Sequence, residues 1–177
     1  MEKSLIIAGF GGQGVLLIGK ILSYTANEMG KYATFFPSYG AEQRGGTANC
    51  TVITSDEEIG CPICGKYNDI IIMNELSYQR FKNSLRCKGR MIINSSAVVS
   101  RPENGIEYYT VDCDETAKQT GSEKAANMVM LGYYTALDKG YDTKIILDII
   151  KHNFADKPKL IDINVKAFQA GKEAYKT

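Results

Sequence analysis

A chain of 177 residues with 44% hydrophobic and 23% charged side chains has the size and composition of one folded domain, able to bury roughly 70% of its unfolded surface without disulfides or metal. With 21 Lys and Arg against 20 Asp and Glu the net charge is +1, which excludes nucleic-acid or membrane-surface binding by bulk charge, so any charged ligand has to be met locally. Apolar runs such as residues 5–10 and 70–73 fall far short of the roughly 18–20 residues of a membrane span, and Met1-Glu2-Lys3-Ser4 does not open a signal peptide, so the expected location is the cytoplasm, with no membrane contact.

Leu5-Ile6-Ile7-Ala8 is a short apolar run ending in glycine, the pattern of a central strand buried on both faces of a parallel sheet. Val15, Ile18, Leu22, Ala26 and Met29 recur at helical spacing, so residues 14–29 form an amphipathic helix closed by Gly30 and open a βαβ unit. Residues 32–36 make a second strand stopped by Pro37. The glycine-rich loop over 38–47 follows, then a strand over 48–53. Residues 69–73 and 91–93 are further strands, separated by a helix around 77–83 and a Cys87-Lys88-Gly89 turn. A strand over 106–111 precedes a helical C-terminal third: one helix capped by Ser122 and running to about Asp138, one capped by Asp142 or Thr143 and running to about Asn153, and one beginning at Asp162. The fold class is α/β, a single Rossmann-like three-layer domain over 1–177 with a mostly parallel sheet.

Gly9-Phe10-Gly11-Gly12-Gln13-Gly14 fits G-x-G-x-x-G between a strand and a helix, where backbone N–H groups and the helix dipole favour an anion. The glycines serve equally to make a tight turn and close helix packing. The acid that should bind ribose about 20 residues on is absent, since the second strand ends Thr34-Phe35-Phe36-Pro37, and no Lys-Ser/Thr pair follows Gly14. An autonomous nicotinamide enzyme and an ATPase are thereby disfavoured. Asn74, Asn94, Ser95 and Ser96 follow strands and would join the glycine loop in one polar rim, or would cap turns. Arg44, between Gln43 and Gly45-Gly46, suits a carboxylate or phosphate, or an ordinary salt bridge. Asn127, on an apolar helix, ties that helix to a loop or faces another chain.

Cys50, Cys61, Cys64, Cys87 and Cys113 are odd in number and unevenly spaced, which reads as reduced thiols. Cys61-Pro62-Ile63-Cys64 is one CxxC without a second pair, half of a metal site. With a lone histidine, His152, and no G-x-S-x-G, hydrolase chemistry is excluded. No catalytic residue and no metal ligand is assigned.

Residues 7–15, Ile-Ala-Gly-Phe-Gly-Gly-Gln-Gly-Val, and residues 36–50, Phe-Pro-Ser-Tyr-Gly-Ala-Glu-Gln-Arg-Gly-Gly-Thr-Ala-Asn-Cys, resemble the gamma subunit of 2-oxoacid:ferredoxin oxidoreductases of the pyruvate, 2-oxoglutarate and 2-ketoisovalerate types. Ile59-Gly60, Met73-Asn74, Ile93-Asn94-Ser95-Ser96, Asn127 to Gly132, and Asn164-Val165-Lys166-Ala167-Phe168 with Gly171 extend the likeness over the whole chain. The resemblance implies a subunit, not catalytic alone, of a complex that oxidatively decarboxylates a 2-oxoacid with coenzyme A, giving acyl-CoA, carbon dioxide and reduced ferredoxin. Thiamine diphosphate, magnesium and iron-sulfur clusters would sit on partner chains, because this one has neither a Gly-Asp-Gly with paired asparagines nor cysteine clusters. The partners implied are catalytic alpha and beta subunits, a ferredoxin-like subunit and ferredoxin. Gly9, Gly11, Gly12, Gln13, Gly14, Arg44, Gly45, Gly46, Asn94 and Ser95 would line the approach of coenzyme A or of a partner. A small subunit of indolepyruvate ferredoxin oxidoreductase shares the same glycine features, and a pure scaffold or an autonomous nucleotide-binding protein are the readings from other classes.

Overall fold

The computed structural model describes residues 2–39 and 47–176. Six strands form one sheet in the order β2-β3-β1-β4-β5-β6: β1 Lys3–Phe10, β2 Tyr32–Tyr39, β3 Thr47–Ser55, β4 Tyr67–Ile72, β5 Leu85–Asn94 and β6 Glu107–Val111. The helices are α1 Val15–Glu28, α2 Glu75–Phe81, α3 Cys113–Gln119, α4 Ala126–Leu137, α5 Thr143–Asn153 and α6 Pro158–Ala174. The β1–β4, β4–β5 and β5–β6 pairs are parallel, whereas β3 runs antiparallel to both β1 and β2.

The period of two in the apolar strands sorts their side chains between two cores. Leu5, Ile7, Ile71 and Ile92 pack with α1 and α3 to α6, while Ile6, Ala8, Ile70, Ile72, Met91 and Ile93 face a smaller cluster closed by Tyr78 of α2 and Val98. Five helices thus cover one face and the short α2, with its neighbouring segments, covers the other. β1 is central, as expected from its unbroken apolar run. Helices α4 and α6 touch backbone to backbone: a Cβ on Gly132 would lie 1.9 Å from the Phe168 carbonyl oxygen, and one on Gly171 would lie 2.0 Å from that of Val129.

Several expectations are corrected. β2 runs through Pro37 to Tyr39, because it is an edge strand where a missing N–H on the free side costs no ladder bond. The helix from β1 does lead to a parallel strand, but β3 inserts antiparallel between them. The Cys87-Lys88-Gly89 segment is an irregularity inside β5: the register slips opposite Tyr67 and Asp69, and Lys88 takes φ 63°. A Cβ on Gly89 would lie 2.7 Å from the Asn68 carbonyl oxygen, so the chain kinks against β4 there. α3 was not anticipated, Ser122 precedes a 3-10 turn over Glu123–Ala125 without a side-chain cap, and α6 starts at Pro158 in its first turn rather than at Asp162. Asp142 does cap α5, accepting from the Lys144 N–H at 2.7 Å.

Candidate functional site

The carboxyl ends of β1, β4 and β5 lie along one edge of the sheet, where the glycine turn, Asn74 and Asn94 close the strands. The turn is made by Gly12 at φ 100° and Gly14 at φ 72°, values that only glycine adopts without strain. α1 opens on Gly14 with no capping side chain and no acid in its first turn, so its amides and positive dipole end face the crevice. That arrangement favours an anion, and a Cβ on Gly14 would meet the Asn127 amide nitrogen at 2.3 Å.

Gln13 holds the turn in place. Its Oε1 accepts from the Phe10 N–H at 2.7 Å and from Asn74 Nδ2 at 3.0 Å, and its Nε2 donates to the Met73 carbonyl at 3.2 Å. Asn74 in turn caps α2 by accepting from the Ser77 N–H at 2.8 Å. One amide therefore ties β1, β4 and α2 together. Asn127 Nδ2 donates to the Gly14 carbonyl at 3.4 Å, which joins α4 to the same turn and decides its role in favour of the loop tie.

A second knot lies at the end of β5. Asn94 Oδ1 accepts from the N–H groups of Cys113 and Ser96 at 3.1 and 3.2 Å, and its Nδ2 donates to Asp114 at 3.3 Å. Ser95 donates its N–H to the Val111 carbonyl at 2.9 Å, and Ser96 Oγ donates to Asp112. Asn94 is fully enclosed and Ser95 half-buried. The structure thus sets the turn of Gly9, Gly11, Gly12, Gln13 and Gly14 beside the end of β4, with Gln13 bonded to Asn74, while Asn94 and Ser95 stand one strand further along the same edge. Arg44, Gly45 and Gly46 lie outside the described residues; the strand positions flanking that segment, Tyr39 and Thr47, pair with Ala48 and Phe10 at this edge.

Sequence reasoning missed Glu75, whose signal was an acid directly after the capping Asn74. Its carboxylate accepts from the N–H groups of Val99 and Ser100 at 3.0 and 3.1 Å, from Gln79 at 2.9 Å and from the Ser100 hydroxyl. The Ser100 hydroxyl above all, with Gln79 and the two amides, pulls its pKa down to about 2. Also missed was an ionic cluster at the opposite edge, where no single motif marks it. Buried Asp69 receives Arg90 Nε and Nη2 at 2.9 and 2.7 Å, Lys3 Nζ at 2.8 Å and the Tyr134 hydroxyl at 3.0 Å, with Asp138 beside them. Burial pushes the Asp69 carboxyl up, but the bonds and charges of Arg90 and Lys3 outweigh it and hold it below the usual carboxylate range.

All five cysteines are free thiols: Cys61 and Cys87 are exposed, Cys64 is half-buried, and Cys50 and Cys113 are buried. Burial pushes the Cys50 thiol up to about 12, which leaves it no nucleophile. Among the described residues no three or more His, Cys, Asp or Glu side chains could hold a metal ion, and no helix is long and apolar enough to cross a membrane.

A sheet whose central strand ends in a glycine turn at the bare N-terminus of a helix, braced by amides from the next strand and from α4, defines an α/β domain with a crevice at the carboxyl ends of its strands. The chain belongs to the pyruvate ferredoxin/flavodoxin oxidoreductase family, which it matches over residues 4–174. It is 38% identical over 173 residues to the ketoisovalerate oxidoreductase subunit VorA of Methanothermobacter thermautotrophicus, covering 97% of this chain and 36% of that protein, so it spans about a third of the length of that relative. It is 33% identical to the 2-oxoglutarate synthase subunit KorC of Methanothermobacter marburgensis, covering 98% of this chain and 96% of that one. The gamma subunit of the keto/oxoacid ferredoxin oxidoreductase from Geobacter sulfurreducens superposes with a TM-score of 0.81 at 28% identity, covering 98% of each chain. These relatives are subunits of oxidoreductases.

Proposed function

We propose that this chain is the gamma subunit of a complex that oxidatively decarboxylates a 2-oxoacid with coenzyme A and passes the electrons to ferredoxin. The observation that carries this is the match over 98% of this chain and 96% of a 2-oxoglutarate synthase subunit, supported by the gamma subunit superposition. Thiamine diphosphate and magnesium would sit on alpha and beta subunits and the iron-sulfur clusters on a ferredoxin-like subunit; the thiamine ring supplies the carbanion chemistry when bound.

The role of this chain is to shape the crevice. Gly12 and Gly14 let the backbone approach an anionic group closely, and the bare start of α1 suits the diphosphate of coenzyme A. Gln13 and Asn74 hold that turn rigid, with Asn94 and Ser95 bracing the neighbouring strand end. Arg44, with Gly45 and Gly46, would join the same approach as a fork-shaped donor.

The test is to rebuild the complex with alpha, beta and ferredoxin-like subunits from the same organism and to follow 2-oxoacid-dependent viologen reduction across coenzyme A concentrations. Activity that requires this chain is the expected result. Arg44→Ala should leave assembly intact and weaken coenzyme A use by roughly ten- to a hundredfold, the equivalent of about 1.5–3 kcal/mol for a lost charge-assisted contact. Normal assembly and unchanged activity at every concentration would remove Arg44 from the site; activity without the chain would overturn the reading itself.

A further inference from the structure

The balanced net charge of +1 conceals a strongly uneven distribution. From Leu76 to Pro102 the chain carries six basic residues, Arg80, Lys82, Arg86, Lys88, Arg90 and Arg101, and no acid. Arg90 is consumed by the buried Asp69. Lys82, Arg86 and Lys88, joined by Lys66, instead line an open groove of about 720 Å³ at the amino edge of the parallel strands, the end of the sheet opposite the crevice. All four are exposed, and none forms an ion pair with a carboxylate among the described residues. Glu107 is the acid in the described lining, and it already accepts from the Tyr109 hydroxyl.

Two of the cations are held in position. Arg86 donates through Nε to the Lys66 carbonyl at 3.2 Å and through Nη1 to Asn68 at 3.4 Å, and Lys66 Nζ donates to the Asn83 carbonyl. Lys88 is the described non-glycine residue with positive φ, 63°, and its kink places it on the rim. Lys82 also stands at the C-terminal end of α2, where a cation complements the dipole, but that accounts for Lys82 alone. Four like charges around one groove, none paired with a carboxylate, repel each other, and an anionic surface laid over them would relieve that repulsion.

We propose that this groove docks a carboxylate-rich segment of another protein, independently of the crevice at the opposite edge. A small phosphate-bearing ligand would call for an enclosed site with buried donors or a backbone cradle, whereas these cations are all exposed and three of the four are lysines on flexible stems. Exposed charges of that kind steer an oppositely charged protein surface and set its register. A nucleic acid is disfavoured because the rest of the chain is acidic enough to bring the total to +1.

The experiment is fluorescence anisotropy of a labelled Glu-rich peptide with the full chain, between about 0.01 M and about 0.15 M salt, since screening shortens the reach of exposed charges over that range. The double variant Lys82→Glu with Lys88→Glu reverses the two groove lysines whose side chains make no hydrogen bond or ion pair among the described residues, unlike Lys66 and Arg86. It should melt within a few degrees of wild type, the small loss expected from an acid at the C-terminal end of α2, and lose about tenfold or more in affinity, because charge reversal replaces attraction with repulsion. The control double variant Lys118→Glu with Lys151→Glu, on α3 and α5, should bind like wild type. No peptide binding at low salt, equal weakening by both double variants, or tighter binding of inorganic phosphate or a single-stranded oligonucleotide would each overturn the proposal.

Discussion

Gln13 shows how much of the crevice rests on one side chain. Its amide makes three hydrogen bonds that join the end of β1 to Met73 and Asn74. Gln13→Ala should therefore lower stability by about 1–3 kcal/mol, measured by urea denaturation, since it strands the Phe10 N–H and the Asn74 amide. Asp69 gives a second test. Its folded pKa is held below that of the unfolded chain, so its contribution is complete above the unfolded value, about 3.9, and is lost as pH falls through the folded value. Asp69→Asn should cost about 3–5 kcal/mol at neutral pH by leaving Arg90 without its counter-charge and Lys3 with Asp138 alone, and should flatten the loss of stability in acid. Equilibrium unfolding of both proteins from neutral pH to below the carboxylate range measures that slope. A variant as stable as wild type at neutral pH would show the cluster to be inert.

Among the elements, the α4–α6 contact is the least tolerant of change. Gly132 and Gly171 each occupy a position where an added methyl would enter the carbonyl of the opposing helix. Gly132→Ala should cost about 2–4 kcal/mol despite the higher helix propensity of alanine, because overpacking two backbones outweighs a propensity gain of about 1 kcal/mol. Thermal and urea unfolding of the variant measure the sign; stabilisation would mean that the helices separate at little cost. At the other face, Glu75 ties α2 to the segment over Val99 and Ser100, which helps a seven-residue helix serve as cover for the smaller core.

For the whole molecule, the two ends of the parallel strands have different characters. The carboxyl edge carries the glycine turn and the Gln13, Asn74 and Asn94 amides around a helix N-terminus, and the amino edge carries the Asp69 cluster and the lysine-lined groove. The glycine turn sits where a dinucleotide fold would bind its pyrophosphate, but β2 reads Thr34-Phe35-Phe36-Pro37 and places no acid to receive a ribose hydroxyl. Calorimetric titration with NAD and NADP should accordingly show no micromolar site, and such a site would assign the crevice to a nicotinamide ligand instead.

What the amino-acid sequence determined by itself was local. The apolar run of β1, the glycine turn behind it, the 3.6-residue period of α1 and the start of α5 at Asp142 or Thr143 each depend on residues within a few positions of one another, so propensity and periodicity suffice to read them. Tertiary structure decided what depends on distant partners. Gln13 turns inward because Met73 and Asn74 lie beside it after folding, and Asn127 reaches Gly14 from the other end of the chain. The insertion of β3 between β1 and β2, the passage of a strand through Pro37, and the Asp69 cluster drawn from β1, β4, β5 and α4 follow from strand order. A single sequence carries no local signal for strand order, because each pairing is selected by the burial of the whole sheet rather than by the strand's own residues.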